Sequence, residues 1–208
     1  MLNLLRPALS RVLTPVGHGL AKAGFTPNAI TVTGTVGVVA GALVLYPRGE
    51  LFWGTMVITV FVFFDMFDGA VARVTGSGST WGAFLDSTMD RVADAAIFSG
   101  LILWLAGSKH NMTLAALALF CLVAGAIVSY VKARAEGLGF TCNVGIAERS
   151  ERLIVVLFAA GFYGIGVPYA LDVGLWILAV ASVITVYQRF AVVYRQARQT
   201  EPKTKVPV

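Results

Sequence analysis

Residues 51–73 read LFWGTMVITVFVFFDMFDGAVAR, residues 74–81 VTGSGSTW, and residues 82–106 GAFLDSTMDRVADAAIFSGLILWLA. A membrane-spanning helix needs roughly 20 mostly apolar residues, and each of the two longer segments supplies about that many. The link between them is short and rich in small residues, so the two helices are expected to be antiparallel neighbours. Within them lie Asp65, Asp68, Asp86, Asp90 and Asp94, five of the eleven acidic residues of the chain. A carboxylate inside a bilayer costs at least ~2.5–3.5 kcal/mol, and such groups face a partner or a wet cavity. Arg73 and Arg91 are the basic residues of the stretch, and two arginines cannot neutralise five aspartates. The balance of the negative charge calls for cations.

The rest of the chain has the same character. Of 208 residues, 57% are hydrophobic and 13% charged, about half the charge of a soluble domain. Mean hydropathy is +0.79. Further uncharged runs cover Ala23–Pro47, Asn111–Val131, Leu153–Leu171 and Val173–Gln188. With the two helices above they predict an all-α integral membrane protein with six transmembrane helices. Six spans leave only short loops, which excludes a separate soluble catalytic domain.

At the N-terminus Leu2, Leu5, Leu9, Leu13 and Val16 recur at helical spacing, with Arg6 and Arg11 off that face. Residues 1–22 are therefore expected to form an amphipathic juxtamembrane helix on the membrane surface rather than a cleaved signal. Residues 23–195 make the expected six-helix membrane domain, and 196–208 a basic tail. On six spans the basic residues sort to the side of the termini, leaving Arg48 and Lys109 on the other. The positive-inside rule then places both termini and the aspartate-bearing helix ends in the cytoplasm of a multi-pass cell-membrane protein. The net charge of +5 thus reads as contact with membrane lipids, not nucleic acid. Cys121 and Cys142 have neither metal spacing nor an oxidising location and read as structural.

Spacing says where the carboxylates point. Asp65 and Asp68 are three residues apart and share a helix face; Asp86 and Asp90 are four apart and share another. Across an antiparallel pair the two sets converge near the cytoplasmic ends. Hard oxygen ligands suit Mg²⁺ or Mn²⁺, and four carboxylates are more than one such ion takes from protein, so a site for two ions is expected. Gly69 and Ala72 lie beside Asp65 and Asp68, where the lack of bulk lets a flat ligand approach the backbone.

The segment Asp65-x2-Asp68-Gly69-x2-Ala72-Arg73-x8-Gly82-x3-Asp86-x3-Asp90 resembles the signature of the CDP-alcohol phosphotransferases, matching all eight of its fixed positions. The likeness extends to the Pro27-Asn28-Ala29-Ile30-Thr31 lead-in to the first span. Over the whole chain it is strongest to the actinobacterial branch that makes phosphatidylinositol phosphate. The resemblance implies transfer of the phosphatidyl group of CDP-diacylglycerol to an acceptor hydroxyl, with release of CMP. It assigns Asp65, Asp68 and Asp86 to two divalent ions, Asp90 to the second ion and to general-base duty, and Gly69, Ala72, Arg73 and Gly82 to the CDP pocket. Asn28, Ala29, Ile30, Thr31 and Ser79 would line that pocket. It also implies a homodimer.

The acceptor is read from other cations. Lys132 and Arg134 end the fourth span one turn after Ser129, Arg149 and Arg152 begin the fifth, and Arg189 lies in the sixth. Basic residues from three helices beside an aspartate site suit an anionic acceptor, with arginine forking onto phosphate. Ser129, Lys132, Arg134, Arg152 and Arg189 are the candidate acceptor-phosphate ligands. Arg195, Arg198, Lys203 and Lys205 are expected to contact lipid headgroups. Inositol 1-phosphate and glycerol 3-phosphate both fit such a site, and the choice of D-myo-inositol 1-phosphate follows from the resemblance alone. A divalent-cation transporter would instead place acids near the bilayer midplane and on several helices.

Overall fold

The computed structural model describes residues 15–200, and among them there is helix and no strand. The juxtamembrane helix expected over 1–22 lies largely outside the described residues; within them, 15–22 is helical. Seven helices follow: α1 (Pro27–Leu45), α2 (Leu51–Asp65), α3 (Phe67–Thr75), α4 (Thr80–Ala106), α5 (Met112–Gly137), α6 (Arg149–Gly164) and α7 (Ala170–Thr200). Taking α2 with α3, they make six rods.

Four stretches are long and apolar enough to cross a membrane: Pro27–Arg48, Leu51–Thr75, Met112–Glu136 and Ala170–Gln199. This is a membrane-protein fold. Charge and length set the other two rods apart. α4 has 27 residues but carries Asp86, Asp90, Arg91 and Asp94. α6 has 16 residues, about 24 Å at 1.5 Å per residue, against a hydrocarbon core of about 30 Å. The uncharged run Leu153–Leu171 does not continue as helix, because Gly166 adopts a left-handed φ of 93° and Pro168 follows.

The chain divides into two compact units between His110 and Asn111. In the first, α1 packs against α2 and α4 around fully buried Ile30, Tyr46, Ile58, Ile97 and Leu101. Tyr46 satisfies its hydroxyl on Thr55 Oγ1 at 2.9 Å. The glycines of α1 open the α1–α2 contact. A Cβ at Gly41 would lie 3.0 Å from Val57 Cγ1, one at Gly34 would lie 3.0 Å from Asp65 Cβ, and Gly37 faces the Phe61 ring.

The helix expected over 51–73 is interrupted. α2 ends at Asp65, Met66 has φ −57° and ψ −16°, and α3 starts at Phe67. Met66 N–H reaches Val62 O only at 3.4 Å. The break puts Asp68 in the first turn of α3, where backbone N–H groups lack helical acceptors and favour negative charge; the Gly69 N–H turns to Asp68 Oδ1. α3 stops at Gly76, whose φ of 65° is left-handed. Ser79 then caps α4, its Oγ accepting from Gly82 N–H at 3.0 Å, so α4 begins two residues before the expected Gly82.

In the second unit α7 packs against both α5 and α6. Its buried stripe runs Leu171, Leu175, Leu178, Ser182, Thr185, Arg189, alternating steps of three and four residues as one helix face requires. The stripe is apolar in its first half and polar in its second. Cys121 and Cys142 are free and buried, and Cys121 Sγ donates to Leu175 O at 3.4 Å, in keeping with structural roles.

Candidate active site

Asp65 at the end of α2, Asp68 in the first turn of α3 and Asp86 on α4 each present a carboxylate oxygen within 4.8 Å of the others, all three half-buried. Three elements and one helix break thus meet at one point. Thr31 of α1 fixes one member: its Oγ1 donates to Asp68 Oδ2 at 2.7 Å and lies 3.1 Å from Pro27 O. Gly34, one turn later on α1, admits the Asp65 side chain. Hard oxygens at this spacing fit a divalent cation of the Mg²⁺ or Mn²⁺ kind. Asp90 lies outside this group of three, one turn farther along α4. Its Oδ2 is 3.8 Å from Arg91 Nη2, and Arg91 Nη1 is 3.4 Å from Asp94 Oδ2. Asp94 therefore helps to orient Arg91.

The residues assigned to the CDP pocket differ in exposure and in what they touch. The exposed Arg73 folds back one turn, so that a Cβ at Gly69 would lie 3.4 Å from its Nη1. A Cβ at Gly82 would lie 3.3 Å from Ser79 Oγ and 3.4 Å from Asn28 Oδ1, which places Asn28 against the start of α4. Asn28 and Ala72 are half-buried and Ala29 exposed. Ile30 has no exposed surface and Thr31 is 4% exposed. Those two therefore shape the site from behind, Ile30 as core and Thr31 through Asp68. Sequence reasoning placed Thr31 in the CDP pocket and not against Asp68, and it missed the part of Gly34, since a threonine and a glycine on an apolar helix do not say which neighbour they meet.

The basic candidates divide as well. Arg152 and Arg189 are 4% and 3% exposed. Arg189 donates from Nε to Val144 O at 2.9 Å, from Nη1 to Val128 O at 2.5 Å and from Nη2 to Glu148 Oε1 at 3.3 Å. Arg152 Nη1 donates to Ala147 O at 3.3 Å, and its Nε lies 3.0 Å from where a Cβ would stand at Gly125. Ser129 Oγ donates to Gly125 O at 3.0 Å. Lys132 pairs with Glu136 at 3.9 Å, and Arg134 is exposed. A cavity of about 440 Å³ lies between Val144–Ile146 and Tyr187, Gln188, Val192 and Arg195 of α7; none of the candidate ligands lines it.

Residues 25–187 match the profile of CDP-alcohol phosphatidyltransferases. The chain belongs to the CDP-alcohol phosphatidyltransferase family. The resemblance seen in the Asp65–Asp90 segment is thereby borne out, and the match takes in both units. Among relatives of this phosphatidyltransferase, the phosphatidylinositol phosphate synthase of Streptomyces avermitilis is 50% identical, over 98% of this chain and 87% of its own. The enzyme of that name from Mycobacterium tuberculosis is 48% identical, over 92% and 89%. The crystal structure of the M. tuberculosis phosphatidylinositol phosphate synthase with CDP-DAG bound superposes with a TM-score of 0.85 at 46% identity, covering 95% of this chain and 98% of that one. The same protein in complex with manganese and citrate gives 0.85 and 46%, covering 94% and 93%.

Proposed function

We propose that this phosphatidyltransferase transfers the phosphatidyl group of CDP-diacylglycerol to D-myo-inositol 1-phosphate and releases CMP. The observation that carries the reading is the convergence of Asp65, Asp68 and Asp86 within a motif that matches at all eight fixed positions. The names of the relatives support the acceptor. Two divalent ions bound at the aspartates would neutralise the pyrophosphate and make its phosphorus electrophilic. Asp65, Asp68 and Asp86 would hold them, with Asp90 completing the second site. Arg73 and the open backbone at Gly69 and Gly82 receive the CDP moiety, with Asn28, Ala29, Ala72 and Ser79 at its edge. Asp90 takes the proton of the acceptor hydroxyl as its oxygen bonds to the phosphorus bearing the diacylglycerol, and the bond to CMP breaks. Ser129, Lys132, Arg134, Arg152 and Arg189 attract and hold the acceptor phosphate.

In this reading all six rods cross the cell membrane, the aspartates and both termini are cytoplasmic, and the protein works as a homodimer. Residues 23–195 form the catalytic membrane domain, between a surface helix over 1–22 and a basic tail over 196–208. The test is CMP release from CDP-diacylglycerol by purified protein with Mg²⁺, screened with inositol 1-phosphate, glycerol 3-phosphate, inositol and serine. Release that depends on inositol 1-phosphate is expected. Preference for glycerol 3-phosphate would change the acceptor, and metal flux without CMP release would overturn the enzyme reading.

A further inference from the structure

We infer that Thr185, on α7, is a positioning residue for the Arg152 guanidinium and so for the acceptor phosphate; this rests on the acceptor role proposed above for Arg152. Thr185 has no exposed surface, and its hydroxyl makes two bonds at once. Oγ1 donates to Ala181 O at 2.8 Å, the back-bond of a threonine within a helix, and accepts from Ala147 N–H at 3.0 Å. Ala147, 2% exposed, in turn offers its carbonyl to Arg152 Nη1 at 3.3 Å. One residue of the α5–α6 connection is therefore held by α7 through its N–H and holds the arginine through its C=O.

The methyl of Thr185 fixes the same segment sterically. A Cβ at Gly145 would stand 2.5 Å from Thr185 Cγ2, and Gly145 has a φ of 144°. Only glycine gives the chain both that backbone and that closeness. On its other side Arg152 lies against Gly125 of α5, where a Cβ would approach Nε to 3.0 Å. A long side chain in a large space samples many rotamers, and a guanidinium recognises phosphate only when its fork points correctly. Gly125 removes bulk from one side of Arg152, and Thr185, through Ala147, supplies a fixed acceptor on another.

Thr185→Val keeps the branched shape and the methyl contact but removes the acceptor of the Ala147 N–H. The KM for inositol 1-phosphate is expected to rise about tenfold, with the KM for CDP-diacylglycerol near its wild-type value and the thermal midpoint lowered by no more than a few degrees through the unpaired Ala147 N–H. Thr185→Ser, which retains the hydroxyl, should return the acceptor KM to within about threefold of wild type. In the Arg152→Gln background Thr185→Val should add nothing, because the two changes break one chain of contacts. Hydrogen exchange of the full-length protein should show faster exchange at the Ala147 amide in Thr185→Val and not in Thr185→Ser. Thr185→Ala makes the same deletion without the added methyl and serves if the valine variant does not fold; failure of both to fold overturns the inference, since Thr185 would then support the unit as a whole. Additive effects with Arg152→Gln, or equal rises in both KM values, overturn it too. If Arg152→Gln alone leaves the acceptor KM unchanged, the acceptor reading itself fails. If Arg152→Gln raises that KM and Thr185→Val does not, only the inference fails.

Discussion

The first unit holds three carboxylates half-buried, with oxygens within 4.8 Å of one another; the second holds Arg152 and Arg189 at 4% and 3% exposure, against backbone carbonyls and a glutamate. Like charges at that spacing repel, so cations bound there would lower the energy of the acidic group. A buried guanidinium must bring its own acceptors, and the 144–148 segment and Val128 supply them. One region is built to be completed by what it binds. The other is ordered by the protein itself, its guanidinium groups held by acceptors of the same unit.

The largest expected effect breaks the acidic side outright. A chelator should reduce CMP release to background, and Mg²⁺ or Mn²⁺ should restore it; full turnover in metal-free buffer would mean that the aspartates are not a metal site. Asp90→Asn comes next. Loss of a general base lowers kcat by roughly 10²–10⁴-fold, while binding of CDP-diacylglycerol should persist because Asp65, Asp68 and Asp86 are intact. A near-normal rate would remove Asp90 from the chemistry.

The basic side should respond in KM rather than kcat. Arg152→Gln is expected to raise the KM for inositol 1-phosphate about tenfold to a hundredfold, the worth of ~1.5–3 kcal/mol for a charge-assisted contact, and to leave the KM for CDP-diacylglycerol nearly unchanged. Arg73→Gln should do the reverse. If both substitutions move both constants alike, the division of labour between the two regions fails.

How far each region can be read from sequence follows from its physics. The acidic side is written locally: Asp65, Asp68 and Asp86 lie on rods joined by residues 76–79, so helical spacing and a tight connection suffice to bring them together, while Asp90 stands one turn beyond that group. The break at Met66 was hidden, because Phe64, Met66 and Phe67 continue an apolar pattern without glycine or proline. The basic side is written at long range. Arg189 finds Val128, 61 residues away, and Val144, 45 residues away, and no spacing rule foretells that the α5–α6 connection folds over α7. Spans of α1, α2–α3, α5 and α7 were legible from hydropathy. α4 and α6 depart from that signal, α4 because it carries the site's charges and α6 because Gly166 and Pro168 end it early.

Two smaller effects sharpen the contrast. Thr31→Val deletes the bond to Asp68 Oδ2. A hydrogen bond to a charged group contributes about 1.5 kcal/mol or more, so the Mg²⁺ concentration for half-maximal activity should rise about tenfold, with acceptor KM unaffected. Arg198→Gln should change neither KM. Arg198 stacks on Tyr194 with its guanidinium carbon 5.0 Å from the ring centroid, an arrangement suited to the headgroup region. If Arg198→Gln raises the acceptor KM as far as Arg152→Gln does, the basic face is a general membrane surface, with no fixed phosphate site.

The absence of a side chain at Gly34 reaches further than its place on α1 suggests. The nearest atom to a Cβ there would be Asp65 Cβ, at 3.0 Å, and that stem carries a carboxylate of the cluster. A variant catalogue sorted by residue chemistry would file Gly34→Ala under helix packing, with a mild stability score. Its first casualty would be the aim of a carboxylate oxygen of the aspartate cluster on another helix. Loss of function at position 34 in a mutational scan would accordingly be suppressed by excess divalent salt, whereas an ordinary packing defect would be suppressed by lower temperature. Genetic suppression would thus separate two classes of allele that look identical on a helical wheel.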